Sequence, residues 1–352
     1  MDSNAQFELR KQEHIKLSLG SRSQGSNRSG WDRYNLNHEA FPEMDLEEVD
    51  LTTSFFNLKL SSPIFISSMT AGHADGQIIN ERLAELSHHK QILMGVGSQR
   101  RELTDPEAAK EWKKIRKTFP KALFMGNIGI TQVITHTSRE IFKLIDSLDA
   151  KALIVHTNPL QEALQLEGTP QFKGGLKSLE NLVSKSPVPI IVKEVGCGMG
   201  LSTIQKLNDI GVAVVDIAGK SGTHWGRIEG LRSQDPVYEK ASENFMDWGY
   251  FSLDILEKSQ SLKIQKWVSG GVRSGVDAAK AMALGASLVG AAKPWLEAAV
   301  QSPEALELVY NQFQLELKTS LFCTGSKTPV ELLGRVSKDQ FVMKQPDHGV
   351  LA

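Results

Sequence analysis

A closed (β/α)8 barrel, the TIM-barrel class of α/β fold, is predicted for this 352-residue chain by three observations. Eight short apolar runs recur along it, each nearly continuous rather than alternating, as parallel strands covered on both faces require. Helical patterns lie between them. The last two runs end in glycine-rich and small-residue turns, the arrangement with which such barrels grip a phosphate after strands 7 and 8. A doubly wound open sheet is the alternative.

Composition narrows the function classes. The chain is 40% hydrophobic and 23% charged, with a formal net charge of −1. That balance argues against a general binder of nucleic acid or anionic membrane, so any attraction for phosphate must be local. Two cysteines, Cys197 and Cys323, are too few for a disulfide framework and fit a reducing compartment. The first ten residues are polar and unlike a signal peptide. No apolar run approaches the roughly 20 residues of a membrane helix. The expectation is a soluble cytoplasmic protein.

In order, Phe7 to Leu19 can form a helix carrying Arg10, Lys11, His14 and Lys16. Gly20 to Arg33 is rich in Ser, Gly, Asn and Arg and reads as a mobile loop, either a flap that orders on an anion or a loose tail. Leu46 to Leu60 holds two candidate strands, read as a hairpin plugging the barrel bottom. The barrel runs are Pro63–Met69, Ile92–Gly97, Ala122–Ile128, Ala152–Asn158, Pro189–Val195, Val212–Ile217, Lys266–Ser269 and Ser287–Gly290. Helical patterns fill Ala108–Thr118, Ser138–Leu148, Leu201–Ile210 and Asp277–Leu284. Thr223 to Gln265 is longer than one connecting helix needs, and its polar half, His224 to Asn244, reads as a loop over the mouth. The segment after Pro303, with a helix over Ala305–Thr319, reads as peripheral.

Chemistry in a barrel sits at the carboxyl ends of the strands. Here six of the first strand ends carry polar groups: Ser67-Ser68-Met69-Thr70, Ser98-Gln-Arg100, Asn127, His156-Thr-Asn158 with Gln161 and Glu162, Lys193, and Asp216 to Trp225. Caps explain one or two of these and strain at six. Lys193 ends an apolar run, and a lysine there is costly without a partner. A cation in that position suits the negative charge of a reduced flavin. Glu162 is suited to Mg²⁺, which takes one or two carboxylates plus substrate phosphate oxygens, and His156 and Asn158 to donating to those oxygens. Gly270-Gly271-Val-Arg273 supplies close backbone approach and a forked donor for phosphate. Gly196-Cys-Gly-Met-Gly200 mimics a dinucleotide loop, but its spacing is wrong and it reads as a tight turn. Cys197 has no activating base nearby in sequence. His88 and His89 read as solvated.

The motifs Arg10-Lys-x-Glu-His-Ile15, Met69-Thr-Ala-Gly72, Gly97-Ser-Gln-Arg100, His156-x-Asn-x-x-Gln-Glu162, Lys193-Glu-x-Gly196, Gly222-Thr-His-Trp225 and Gly270-Gly-x-Arg-x-Gly275 together resemble the FMN-dependent, type 2 isopentenyl-diphosphate isomerases, from Arg10 to about Pro294. The last motif is shared by many flavin barrels; the first and fourth in combination are specific. The resemblance implies interconversion of isopentenyl and dimethylallyl diphosphates in isoprenoid biosynthesis, a double-bond and proton shift with no net redox change. It implies reduced FMN as the acid–base, NADPH to reduce it, and Mg²⁺ on the diphosphate. Carried over, Ser68, Met69, Thr70, Ser98, Asn127, Lys193 and Thr223 hold the flavin, and Gly271, Arg273, Ala291 and Ala292 its phosphate. Arg10, Lys11, Ser98, Arg100, His156, Asn158 and Gln161 face the substrate, Glu162 ligates Mg²⁺, and Gln161, Lys193 and His156 form the catalytic set. It divides the chain into a clamp and plug (1–60), the FMN barrel (61–300) and a C-terminal helix and tail (301–352). It also implies a homotetramer or homo-octamer. The chain departs from the family at Ala71, Ala218, Lys220 and Ser221, near the flavin. An FMN-dependent 2-hydroxy acid oxidase or dehydrogenase stays open as an alternative, although such an enzyme needs a His–Arg pair after strand 7, where this chain has Ser269 and Ser274. So does a non-catalytic flavin- or phosphate-binding barrel.

Overall fold

The computed structural model describes residues 3–25, 28–69 and 74–339. Eight parallel strands close into a barrel in chain order: β1 Ile64–Ile66, β2 Leu93–Gly95, β3 Leu123–Gly129, β4 Ala152–Thr157, β5 Ile190–Glu194, β6 Val214–Asp216, β7 Gln265–Val268 and β8 Leu288–Ala291. Every apolar run of the sequence contributes one. The register sets His156 beside Lys193 and Lys193 beside Asp216 at the carboxyl ends of β4, β5 and β6. Strand side chains that point outward pack with the surrounding helices into the main core. Those that point inward at the amino ends form a second cluster with Phe65, Leu93, Leu123, Ala152, Val214 and Leu288.

That inner cluster is closed from below by the hairpin of Thr53–Phe55 and Leu58–Leu60, whose Phe55 and Leu60 are both 1% exposed. Phe55 meets the Trp267 ring edge-on at 5.1 Å. An edge-to-face aromatic pair adds to simple area burial, so the hairpin fixes the bottom of the barrel and leaves the opposite end as the open one.

Two segments differ from the sequence reading, and for a third, one of its two open alternatives falls. Residues 224–244 are not a loop. They form helices Trp225–Arg232 and Pro236–Asn244, capped by His224 and Asp235, whose side chains accept from the Arg227 and Val237 N–H groups. Their polar residues face one another as well as solvent, so low apolarity did not mean missing helix. The N-terminal segment is not a loose tail: helix Ser3–Leu19 lies over the mouth, and among the described residues after it Ser23 is buried and Gly25 N–H donates to Gly222. Nor is the described part of the C-terminal segment, to residue 339, peripheral. Helix Pro303–Phe322 buries Leu306, Phe313, Leu317 and Leu321 in the main core, and Val336–Lys338 pairs antiparallel with Tyr34–Leu36. No helix of the described residues is long and apolar enough to cross a membrane.

Candidate active site

The carboxyl ends of the strands, roofed by the N-terminal helix, enclose a cavity of about 610 Å³. Every residue that the resemblance assigns to flavin, substrate or metal lines it, from Arg10 to Ala292, except Thr70, which with Ala71 lies outside the described residues. The cavity has three regions of different chemistry.

At one end, β7 runs into Gly270 and Gly271, at φ +84° and +83°. Only glycine rests there without strain, and a Cβ on Gly271 would come within 3.0 Å of Ser221. Arg273, Ala291, Ala292 and Lys293 line the same end. Helix Lys293–Gln301 starts there with no side-chain cap on its first N–H groups, which suits an anion. Asp277 braces the turn: it accepts the Arg273 backbone N–H at 2.9 Å and the Arg28 guanidinium at 2.9 and 3.0 Å, while Arg28 also donates to the Gly271 carbonyl. The turn has the shape and charge to receive an anion and is held from behind by an ion pair.

The middle of the cavity is lined by Ser67, Ser68, Met69, Ser98, Asn127, Lys193 and Thr223. Lys193 is only 8% exposed, and its Nζ donates to the Glu194 carbonyl at 2.6 Å. The Ser67 and Ser68 hydroxyls are buried without a hydrogen-bond partner among the described residues. Orphaned hydroxyls and a buried ammonium lining one cavity call for a ligand with several acceptors, and the polar edge of a flavin ring fits that set. Of the family departures here, Lys220 does not reach the cavity: its ammonium turns out to Asp247 at 2.9 Å and lies over the Phe251 ring. The Gly196–Gly200 turn is a self-filled nest. The N–H groups of Gly196, Cys197 and Gly198 all donate to the Glu194 carboxylate, leaving no room for a nucleotide phosphate. Burial, then the Glu194 charge, pushes the Cys197 thiol up to about 12, which makes it inert.

The third region is cationic. Arg10, Lys11 and Arg100 meet there with His156, Asn158, Gln161 and Glu162. Burial first, then Arg10, Arg100 and Arg232, bring the Lys11 ammonium down to about 7. Burial, Lys193 and Lys11 bring His156 down to about 3, so its ring is neutral. Asn158 does not match the donor role expected of it. Its amide nitrogen donates to Gln161 Oε1 and Glu162 Oε1, both at 3.0 Å, so its N–H groups are spent inside the protein. Glu162 is steadied on its other oxygen by the Thr169 N–H at 2.6 Å. Among the described residues no group of three metal-ligating side chains occurs. A cation here has one carboxylate to bind and needs oxygens from its ligand, as Mg²⁺ bound to a diphosphate does.

One residue of this region escaped the sequence reading. Glu229, on helix Trp225–Arg232, accepts from Gln161 Nε2 at 2.8 Å, His14 Nε2 at 2.9 Å and Arg232 Nε at 2.9 Å. Burial works to raise this carboxyl, but the hydrogen bonds from His14 and Gln161 and the Arg232 charge hold it at about 2. Glu229 therefore orients the Gln161 amide. The signal for it was the helix start at His224, which only a capping reading of the insert finds.

Comparison with known proteins identifies the family. A family model described as FMN-dependent dehydrogenase matches residues 135–338. An isopentenyl-diphosphate delta-isomerase of Bdellovibrio bacteriovorus is 53% identical over 339 residues, 94% of this chain and 97% of that protein. Enzymes of the same name from Legionella pneumophila (strain Lens) and a Nostoc species are 48% and 40% identical, each over 92% of this chain and over 95% and 93% of their own lengths. Among solved structures, a mutant flavocytochrome b2 with benzoylformate has a TM-score of 0.67 at 18% identity, over 90% of this chain and 81% of that one. A mandelate oxidase mutant with an FMN adduct has a TM-score of 0.61 at 14% identity, over 95% and 96%. Identities so low speak for the barrel fold alone. The isomerases share about half of this chain's residues over nearly its whole length, and the chain belongs to the isopentenyl-diphosphate delta-isomerase family.

Proposed function

We propose that the protein interconverts isopentenyl and dimethylallyl diphosphates. The observation that carries this is the division of one cavity into a braced phosphate cradle, a middle with orphaned hydroxyls around Lys193, and a separate cationic end with a single held carboxylate. One phosphate site suits FMN and the other the diphosphate of the substrate. Family membership by close relatives of that name supports the same reading.

In this reading Gly271, Arg273, Ala291 and Ala292 hold the flavin phosphate. Ser68, Met69, Ser98, Asn127, Lys193 and Thr223 hold its ring, as does Thr70, which is proposed from the sequence alone. When bound and reduced, the flavin supplies the acid–base for the proton shift, and NADPH is proposed as its reductant. Lys193 places positive charge beside the ring. Arg10, Lys11, Ser98 and Arg100 bind the diphosphate, and His156 and Gln161 line its approach. Glu162, kept in place by Asn158 and Thr169, binds Mg²⁺ together with diphosphate oxygens. Gln161, turned by Glu229, orients the proton path. Grip on the remote diphosphate positions the alkene without touching the reacting carbons.

The test is an anaerobic assay with FMN, NADPH, Mg²⁺ and isopentenyl diphosphate, reading dimethylallyl diphosphate. Activity is expected to need reductant and Mg²⁺, and to fall at least about 100-fold in Glu162→Gln. A flavin-loaded protein that forms no product would sink the isomerase reading and leave the flavin site standing.

A further inference from the structure

Behind the cavity wall runs a chain of buried amides whose orientations are fixed one by one by backbone groups. Gln99 is 1% exposed. Its Nε2 donates to the Leu144 carbonyl at 3.0 Å, and its Oε1 accepts the Asn127 backbone N–H at 2.9 Å. A carbonyl can only accept and a backbone N–H can only donate, so the amide cannot be turned over. A side chain on Gly126 would put its Cβ 2.9 Å from Gln99 Oε1, so the strand leaves room for this contact. The far end of Gln99 also donates to Glu102, whose carboxyl is brought up to about 7 by burial.

Asn127 is the next link, 4% exposed. Its Nδ2 donates to the Val96 carbonyl at 3.0 Å, which leaves Oδ1 as the atom 2.8 Å from His156 Nδ1. An amide oxygen has no proton to give. The hydrogen in that contact must therefore sit on His156 Nδ1, and in a neutral imidazole the other nitrogen is then bare. Neutrality follows from the surroundings: burial first, then the charges of Lys193 on β5 and Lys11 on the N-terminal helix, disfavour a second proton on the ring. Nε2 is bonded to no described residue, and His156 lines the cavity.

We infer that Gln99 and Asn127 are positioning residues that lock His156 in its Nδ1–H tautomer, so that Nε2 meets the ligand as a hydrogen-bond acceptor. The expectation from sequence was the reverse, a histidine that donates to phosphate oxygens. With a bare Nε2, the neutral ring takes its hydrogen bond from a donor, a protonated diphosphate oxygen or a bound water. That consequence rests on the diphosphate reading above. The tautomer does not, because it is set before any substrate binds.

The measurement is ¹⁵N NMR of the flavin-loaded protein labelled at histidine and free of diphosphate, with His156→Asn used to assign the signal. The wild type is expected to show a proton-bearing Nδ1 and a bare Nε2. Asn127→Leu is expected to move the proton to Nε2, and Asn127→Asp, which keeps an acceptor in place, to return it to Nδ1. Gln99→Met is expected to leave a mixture of the two forms. A wild-type ring protonated at Nε2 overturns the proposal, and that result needs no variant to fold. A proton that stays on Nδ1 in Asn127→Leu overturns the positioning role. The wild-type signal is read without turnover and without diphosphate, so failure here is distinct from failure of the proposed function.

Discussion

Ser221 sits at φ +105°, a region that suits glycine, and its hydroxyl is buried without a partner among the described residues. Such strain costs roughly 1–3 kcal/mol, and the orphan hydroxyl adds to it. Ser221→Gly is therefore expected to stabilise the protein by about 1 kcal/mol after the extra unfolded-state freedom of glycine is subtracted. A thermal melt that fails to rise by about 2 °C counts against this account. Lys11 carries a different kind of strain. Its ammonium is protonated below about 7 and neutral above it. A diphosphate needs the charged form, so the contribution of Lys11 to pyrophosphate affinity is lost as pH rises through that value. The ratio of wild-type to Lys11→Met affinity should fall from roughly 10- to 100-fold at about pH 6 to near unity at about pH 9. A ratio flat with pH would show that Lys11 keeps its charge. At this scale the sequence told which residue types gather at the strand ends. It did not tell which hydrogens are already spent, because that depends on the Leu144 and Val96 carbonyls, far away in the chain from Gln99 and Asn127.

Among the elements, the strands were the most legible, since a continuous apolar run between turns has few alternatives to a buried parallel strand. Helices with a polar surface were the least legible. Residues 225–232 and 236–244 hide their buried Glu229, Arg227 and Ser242 in contacts between the two helices and the N-terminal segment, so periodicity gave no stripe to follow. The hairpin under the barrel offers a test of element packing. Phe55→Ala removes a fully buried ring from the inner cluster and should cost about 3–5 kcal/mol in a denaturant melt. The neighbouring Phe56 is 57% exposed, and its change to Ala should stay within about 0.5 kcal/mol. Similar costs at the two sites would mean that the hairpin does not close the barrel.

Across the whole molecule, parts distant in sequence complete one site. The N-terminal helix brings Arg10, Lys11 and His14 to Glu229 of the insert and Glu167 after β4, and Arg28 braces the turn after β7. A chain lacking residues 1–19 keeps the barrel and is expected still to take up FMN, while its affinity for inorganic pyrophosphate drops at least about tenfold. Retained pyrophosphate binding would place the diphosphate elsewhere. This long-range assembly is the part a sequence shows least, because no local pattern says that a basic N-terminal stretch folds back across the opposite end of a barrel.

The closed floor has a consequence for traffic. Phe55 and Leu60 seal one end, so whatever enters the cavity among the described residues leaves past the N-terminal helix. On the proposed binding, a flavin seated against Lys193 loads first and departs last, and a bound diphosphate between it and the mouth acts as a stopper. Exchange of FMN with labelled FMN in solution should slow when pyrophosphate and Mg²⁺ are present, and reductant and substrate should compete for the same doorway.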